Sequence, residues 1–198
     1  MSATLPSSSS PLLLALREGT RECHKALEAR LPFFATGFDT AAYSRLLQAY
    51  YGFHAPLEVR LGQYQEAKRA KTPALTLDLL ALDLSTAEID ALPLCQALPT
   101  INDEASALGV MYVLEGSTLG GQVLKRAMAE RLGLGPGNGT GFFDVYGALT
   151  GHYWRSFLDR LGRAPSAAAS QAATVQAAIA TFQCFERWLG RRGVLNQG

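Results

Sequence analysis

The sequence predicts an all-α fold, and three observations carry that prediction. Ala and Leu dominate while Ile and Val are scattered, which favours helix over strand. No stretch keeps a period of two for long, whereas apolar residues recur at three- and four-residue steps. Capping residues and breakers fall where helices of ordinary length would begin and end.

The first helix is expected from about Pro11 to Leu31, with Leu13, Leu16, Thr20, His24, Leu27 and Leu31 along one buried stripe and Pro32 as its stop. The second begins near Asp39 or Thr40, carries Tyr43, Leu46, Leu47, Tyr50, His54, Leu57 and Leu61 on one side, and is bent or split by Pro56. Thr72–Pro73 reads as a cap followed by a first-turn proline, opening a short helix through Leu82. Ser85 and Glu88 form a capping box for another short helix that ends near Pro93. Asn102 or Asp103 opens a long helix to about Leu132. The run from Gly133 to Gly141 is a loop. A helix from Phe142 to Leu161 and an Ala-rich one from about Ser166 to Leu189 complete the chain, with Gly190 or Gly193 near the last end. Residues 1–11 read as a disordered tail and 12–198 as one domain.

Composition narrows the function. With 48% hydrophobic and 18% charged residues a large core is expected and disorder is not. Lys and Arg number 18 against 17 Asp and Glu, so nothing points to nucleic acid or an anionic membrane; an anionic ligand would need a few local cations. Cys23, Cys95 and Cys184 are odd in number and form no CxxC or Cys/His cluster, which argues against a disulfide framework or a zinc site and suits a reducing cytoplasm. No apolar run approaches the roughly 20 residues that span a bilayer. Leu12 to Leu16 is too short for a signal peptide, and no basic region precedes it.

Two features stand out from this background. The long fifth segment holds Gly116, Gly120 and Gly121 in its middle, each costing about 1 kcal/mol relative to Ala, or roughly 3 kcal/mol against a domain stability of about 5–15 kcal/mol. Gly116 and Gly120 share a face, so either a neighbouring helix packs tightly there or a flat ligand lies against bare backbone. The second feature is His24, in the middle of the first stripe. It reads either as a core histidine or as a metal ligand, and one imidazole suffices only where a porphyrin supplies the other four nitrogens.

The motifs LREGTRECHKALEARL and YVLEGSTLGGQVLKR, in this order, resemble heme oxygenase, most closely the bacterial biliverdin-producing enzymes associated with bacteriophytochromes. The resemblance runs from about Leu12 to the last helix. It implies a heme-oxygenase-like helical bundle with haem between a proximal helix and a kinked distal helix. His24 then matches the proximal iron ligand, and Glu28 the carboxylate that orients its ring, although Glu28 could equally pair with Lys25 or Arg21. Gly116, Ser117, Gly120 and Gly121 match the distal turn. Mammalian-type members carry Asp where this chain has Ser117, a departure many bacterial members share, and it changes the expected water network.

Ser117, Tyr112, His54 and Gln48 are candidates to anchor the water that delivers protons, with plain core or surface roles as the alternative for His54 and Tyr112. Haem propionates need cations: Arg17 lies about two turns before His24 on a compatible side of the first helix, Arg155 resembles the basic position that family members supply from a late helix, and each could also be an ordinary surface arginine. The late-helix lysine of mammalian members is missing, with Gly151 in its place, which leaves the haem's rotation and the cleaved carbon open.

The implied reaction converts haem and oxygen to biliverdin, ferrous iron and carbon monoxide in the cytoplasm. Haem is both substrate and cofactor. A separate reductase or ferredoxin supplies electrons, since the chain has no flavin, nicotinamide or iron–sulfur motif; a bacteriophytochrome is the implied acceptor of biliverdin. One alternative is a non-catalytic haem carrier or sensor, which would not require the bare GSTLGG turn. Others are a thiaminase-like hydrolase using a cysteine such as Cys184, a di-iron oxidase, which would want paired Glu-x-x-His motifs, and a helical interaction module.

Overall fold

Helices account for all regular structure among the described residues of the computed structural model, which are 10–135 and 137–196. Seven α-helices follow one another: α1 (Pro11–Arg30), α2 (Thr40–Leu61), α3 (Thr72–Ala81), α4 (Thr86–Asp90), α5 (Glu104–Leu132), α6 (Thr150–Gly162) and α7 (Ala168–Arg191). No helix among the described residues is long and apolar enough to cross a membrane. The expected tail falls, over residues 1–9, outside the described residues. Ser10 and Pro11, also assigned to that tail, are the N-cap and first residue of α1: the Ser10 hydroxyl accepts from Leu13 N at 3.2 Å.

Caps define the other helices in the same way. The Asp39 carboxylate accepts from Ala42 N at 2.8 Å to open α2. Ser85 and Glu88 form the reciprocal box that starts α4, and Asp103 and Ser106 form one that starts α5. Gly133 closes α5 in the left-handed conformation at φ +68°. The start of α3 differs from expectation. Lys71, not Thr72, is the cap residue, and the freed N–H groups of Lys71 and Thr72 donate to the Glu58 carboxylate of α2 at 2.6 and 3.1 Å.

Two further expectations are narrowed or corrected. Pro56 does not split α2. It removes the N–H that would bond Gly52 O, and that carbonyl accepts instead from Cys95 N in the loop after α4, at 2.8 Å. The loop can approach because Gly52 has no side chain; a Cβ there would collide with Pro93 O and Trp188. The helix expected from Phe142 begins at Thr150. Residues 142–149 hold two short 3₁₀ turns, Phe142–Asp144 and Gly147–Leu149, the second opening on Gly147 at φ +51°. The buried Asp78 carboxylate takes the N–H groups of Gly141 and Phe142, each at 2.7 Å, and fixes this segment against α3.

Helix α7 is the centre of the bundle, with α1 and α5 both packed on it. Helices α5 and α7 approach closely at Gly109 of α5, where Thr174 O, Ala177 and Ala178 of α7 occupy the space a side chain would need. Gly19 of α1 lies equally bare beneath Val175. Trp188 of α7 donates to Ala49 O of α2 at 2.7 Å, and Arg30 pairs with Glu186 at 2.7 Å. The core of Leu, Phe and Ala side chains packs along the buried face of α7, and a gap is left between α1 and the middle of α5.

Candidate functional site

That gap is a cavity of about 670 Å³, inside the range of about 300–1,000 Å³ typical of small-molecule sites. One wall is α1, which contributes Arg17, Thr20, Arg21, His24, Lys25 and Glu28. Another is α5, which contributes Tyr112 and the run from Gly116 to Gly121. Aromatic rings close the rest: Phe142 and Phe143 from the pinned segment, Trp154 from α6, and Phe182 and Phe185 from α7.

His24 is exposed, not part of the buried stripe. Leu13, Leu16, Thr20 and Leu27 are buried, but the His24 side chain keeps 53% of its surface, because it turns into the cavity. Its ring rests edge-on against Phe182 with centroids 5.4 Å apart. One ring nitrogen, Nε2, lies 3.3 Å from Glu28 Oε1, one helical turn on. Glu28 therefore engages His24, the partner the motif implies, and neither Lys25 nor Arg21 pairs with it.

The three glycines in the middle of α5, Gly116, Gly120 and Gly121, separate into two kinds. A Cβ on Gly120 would meet nothing within 4 Å, and one on Gly116 would only graze Trp154 at 3.9 Å. Both therefore present bare helix to the cavity, and the tight-packing reading does not apply to them. Gly121 is the opposite case: a Cβ there would lie 2.6 Å from Phe143 O, so this glycine lets the aromatic segment pack on α5. Helix α5 runs unbroken through all three. Ser117 donates its hydroxyl back to Leu114 O at 2.8 Å and Thr118 to Glu115 O at 2.7 Å. The Ser117 oxygen thus keeps lone pairs free to accept from the cavity.

His54 lines the cavity from α2 but is only 4% exposed, boxed by Tyr50, Phe53, Phe142 and Phe185. Burial, helped by the nearby Lys71 ammonium, holds its pKa down at about 3. It is therefore a neutral imidazole near pH 7, with Nδ1 buried and unpaired. Tyr112 is half-buried beside Trp154, and burial raises its phenol above the ordinary value. Gln48 lies off the cavity and bonds Ser44 at 3.3 Å. Arg17 lines the cavity; Arg155 is exposed on α6 outside the lining.

Composition and periodicity gave no warning of a buried ionic cluster behind the α5 wall. Glu115, 1% exposed, accepts from Arg69 at 2.6 Å, Lys71 at 2.8 Å and the Tyr146 hydroxyl at 2.9 Å. Arg69 also donates to Ser156 at 2.9 Å, and Tyr146 stacks on Tyr153 with centroids 4.1 Å apart. The only local signal was a glutamate in the apolar run VLEGS.

Cys184 is buried away from the cavity, donates to Ala97 O at 2.7 Å, and has its thiol pushed up to about 12 by burial, so it offers no nucleophile. No group of three or more His, Cys, Asp or Glu among the described residues could hold a bare metal ion.

Comparison with known proteins gives a consistent picture. The family model described as Heme oxygenase matches residues 10–191. Among solved structures, the chain is similar to the heme oxygenase from Leptospira interrogans, with a TM-score of 0.74 and 20% identity over 91% of this chain and 98% of that one. It is also similar to heme oxygenase-1 from the cyanobacterium Synechocystis in complex with heme, with a TM-score of 0.70 and 16% identity over 91% of each chain. For heme oxygenase 2 from Chlamydomonas reinhardtii the TM-score is 0.69 and the identity 19%, over 91% of this chain and 97% of that one. No curated protein sequence matches.

Proposed function

The chain belongs to the heme oxygenase family, and from that premise we propose how its residues serve the oxidative cleavage of haem to biliverdin, ferrous iron and carbon monoxide. The observation that carries the reading is that His24 and the side-chain-free face of Gly116 and Gly120 line one cavity. The residues present fit haem: the space a Cβ would fill at Gly120 is open, aromatic rings form the walls, and an accessible imidazole stands on α1. When bound, haem is the substrate and supplies the iron at which oxygen is activated.

His24 would hold the iron through one ring nitrogen while Glu28 engages the other and fixes the ring. Arg17, with Arg21 and Lys25 on the same cavity wall, would neutralise the propionates. Arg155 would reach them only by swinging its exposed side chain inward. Gly116 and Gly120 would let the backbone of α5 approach the distal face, and Gly121 would seat the Phe143 segment that closes the wall. Ser117 would accept a hydrogen bond from a water on that side, with the Tyr112 hydroxyl as a second anchor. His54 would act as a neutral hydrogen-bonding group; its depressed pKa removes it as a strong acid near pH 7. The Phe142, Phe143, Phe182 and Phe185 rings would give the bound haem apolar walls.

A separate reductase or ferredoxin would supply the electrons, a reading supported by the absence of flavin, nicotinamide and iron–sulfur motifs in the sequence. The three free cysteines suit a cytoplasmic location. Likeness of the two motifs to bacteriophytochrome-associated enzymes makes a bacteriophytochrome the proposed acceptor of biliverdin.

Hemin titration tests the ligand and turnover tests the reaction. The wild-type protein should give a stoichiometric complex with a sharp Soret band, and His24→Ala a weakened or shifted one. Ascorbate and oxygen should then bleach the wild-type Soret band as a broad red absorption grows. Identical spectra for the two proteins would remove His24 from the site; a stable oxy complex would mark a carrier.

A further inference from the structure

We propose that Lys71 is a positioning residue of the distal wall: its ammonium, balanced by Glu115, sets a positive potential that favours anions bound over the haem iron. The proposal rests on the haem reading above.

Lys71 is completely buried, and its Nζ donates to Glu115 Oε1 at 2.8 Å, to Arg69 O at 3.1 Å and to the Tyr146 hydroxyl at 3.2 Å. Arg69, 3% exposed, shares the same carboxylate. Two buried cations thus face one buried anion. The remaining carboxylate on Arg69 is Glu66, 3.6 Å away and 54% exposed, where water screens it. Burying two cations beside one anion carries a desolvation cost that an apolar cluster would not.

The orientation of the pair gives the excess a purpose. Lys71 lines the cavity and Glu115 does not, so the cation is the member of the pair nearer the cavity. The residues directly after Glu115, Gly116 and Ser117, form the distal wall. The groups facing Lys71 are Arg69, Glu115 of α5, Tyr146, and from α2 both His54 and Glu58, whose carboxylate is occupied by the Lys71 and Thr72 N–H groups. The Lys71 charge reaches His54, where it adds to burial in keeping the imidazole neutral. A fixed charge in a dry wall stabilises negative charge beside it far more than the same charge in water.

The test uses ferric hemin complexes of the wild type, Lys71→Met, Lys71→Arg, Glu115→Gln and the double variant Lys71→Met/Glu115→Gln. It reads the midpoint of the acid–alkaline spectral transition and the azide Kd. Lys71→Met should raise the midpoint by about half a pH unit or more and weaken azide about threefold. Glu115→Gln should move both in the opposite direction, and the double variant should lie between wild type and Lys71→Met. Lys71→Arg, which keeps the charge, should stay near wild type. A cluster that merely clamps α5 and α6 would shift both single variants the same way, or neither, and that result overturns the proposal. If Lys71→Met fails to fold, Glu115→Gln and the double variant still decide, since a Gln in place of Glu115 keeps an amide oxygen that accepts from Arg69. A midpoint for Glu115→Gln that is not below that of the double variant refutes the idea. Failure of the wild type to bind hemin would instead overturn the haem reading, and this proposal with it.

Discussion

A methyl group added at Gly109 would run into the backbone of α7, whereas one added at Gly120 would meet nothing within 4 Å. Both glycines stand on α5, and both cost the helix the same intrinsic propensity. At Gly109 the missing side chain is a contact, because it lets two helices approach until Thr174 O and Ala177 fill the space. At Gly120, and nearly so at Gly116, it is a vacancy that α5 leaves open. A glycine in a helix therefore reports only that a side chain is absent. Whether something already fits there, or is still to come, depends on the partner surface.

The sharpest way to break this comparison is to fill the crowded side. Gly109→Ala should destabilise the protein by about 3 kcal/mol, since backbone atoms of α7 must shift and the gain of about 1 kcal/mol in helix propensity recovers only part. At this chain length that is a fall in Tm of roughly 6–12 °C. Thermal denaturation of the apo protein checks it, and an unchanged or raised Tm would mean the α5–α7 contact is looser than described.

The two cavity histidines extend the comparison from backbone to charge. His24 is on the open wall and His54 on the crowded one. For His54 the folded-state pKa, about 3, lies below the unfolded value near 6.5, so the unfolded chain binds the proton first. The stability its neutral form contributes is complete above about pH 6.5 and is lost as pH falls toward 3, by up to about 1.4 kcal/mol per unit. Denaturant midpoints of the apo protein at pH 7 and pH 5 should therefore differ less in His54→Leu than in wild type, by the equivalent of about 2 kcal/mol. Equal pH dependence in the two proteins would show that His54 is reached by water.

Most of the fold was legible because caps and breakers act locally. Ser85 with Glu88, Asp103 and Gly133 bound their helices where the sequence places them. The sequence was less informative where a distant residue supplied what the local pattern lacked. Cys95 N takes the carbonyl that Pro56 strands, and Asp78 holds Gly141 and Phe142 out of a helix. The site divides in the same way. The motif marks His24, Glu28 and the glycine turn. The ionic cluster instead joins Arg69, Lys71, Glu115 and Tyr146 from separate segments, and no spacing in the chain relates them. Likewise His24 fits the helical stripe by its spacing, yet it faces open space because no element covers it at that point.

The gentlest substitution tests the vacancy itself. Gly120→Ala puts a methyl group into open space, so the folded state bears no steric cost while the helix gains up to about 1 kcal/mol. The apo protein should melt about 2–4 °C higher. If that space is where the porphyrin lies, the same methyl group must push against its face, and hemin affinity should fall about tenfold, equivalent to about 1.4 kcal/mol. Stability and ligand binding then move in opposite directions in one variant, which Gly109→Ala cannot reproduce because it damages both. A Gly120→Ala protein that melts higher and binds hemin as tightly as wild type would leave the bare face of α5 without a ligand to explain it.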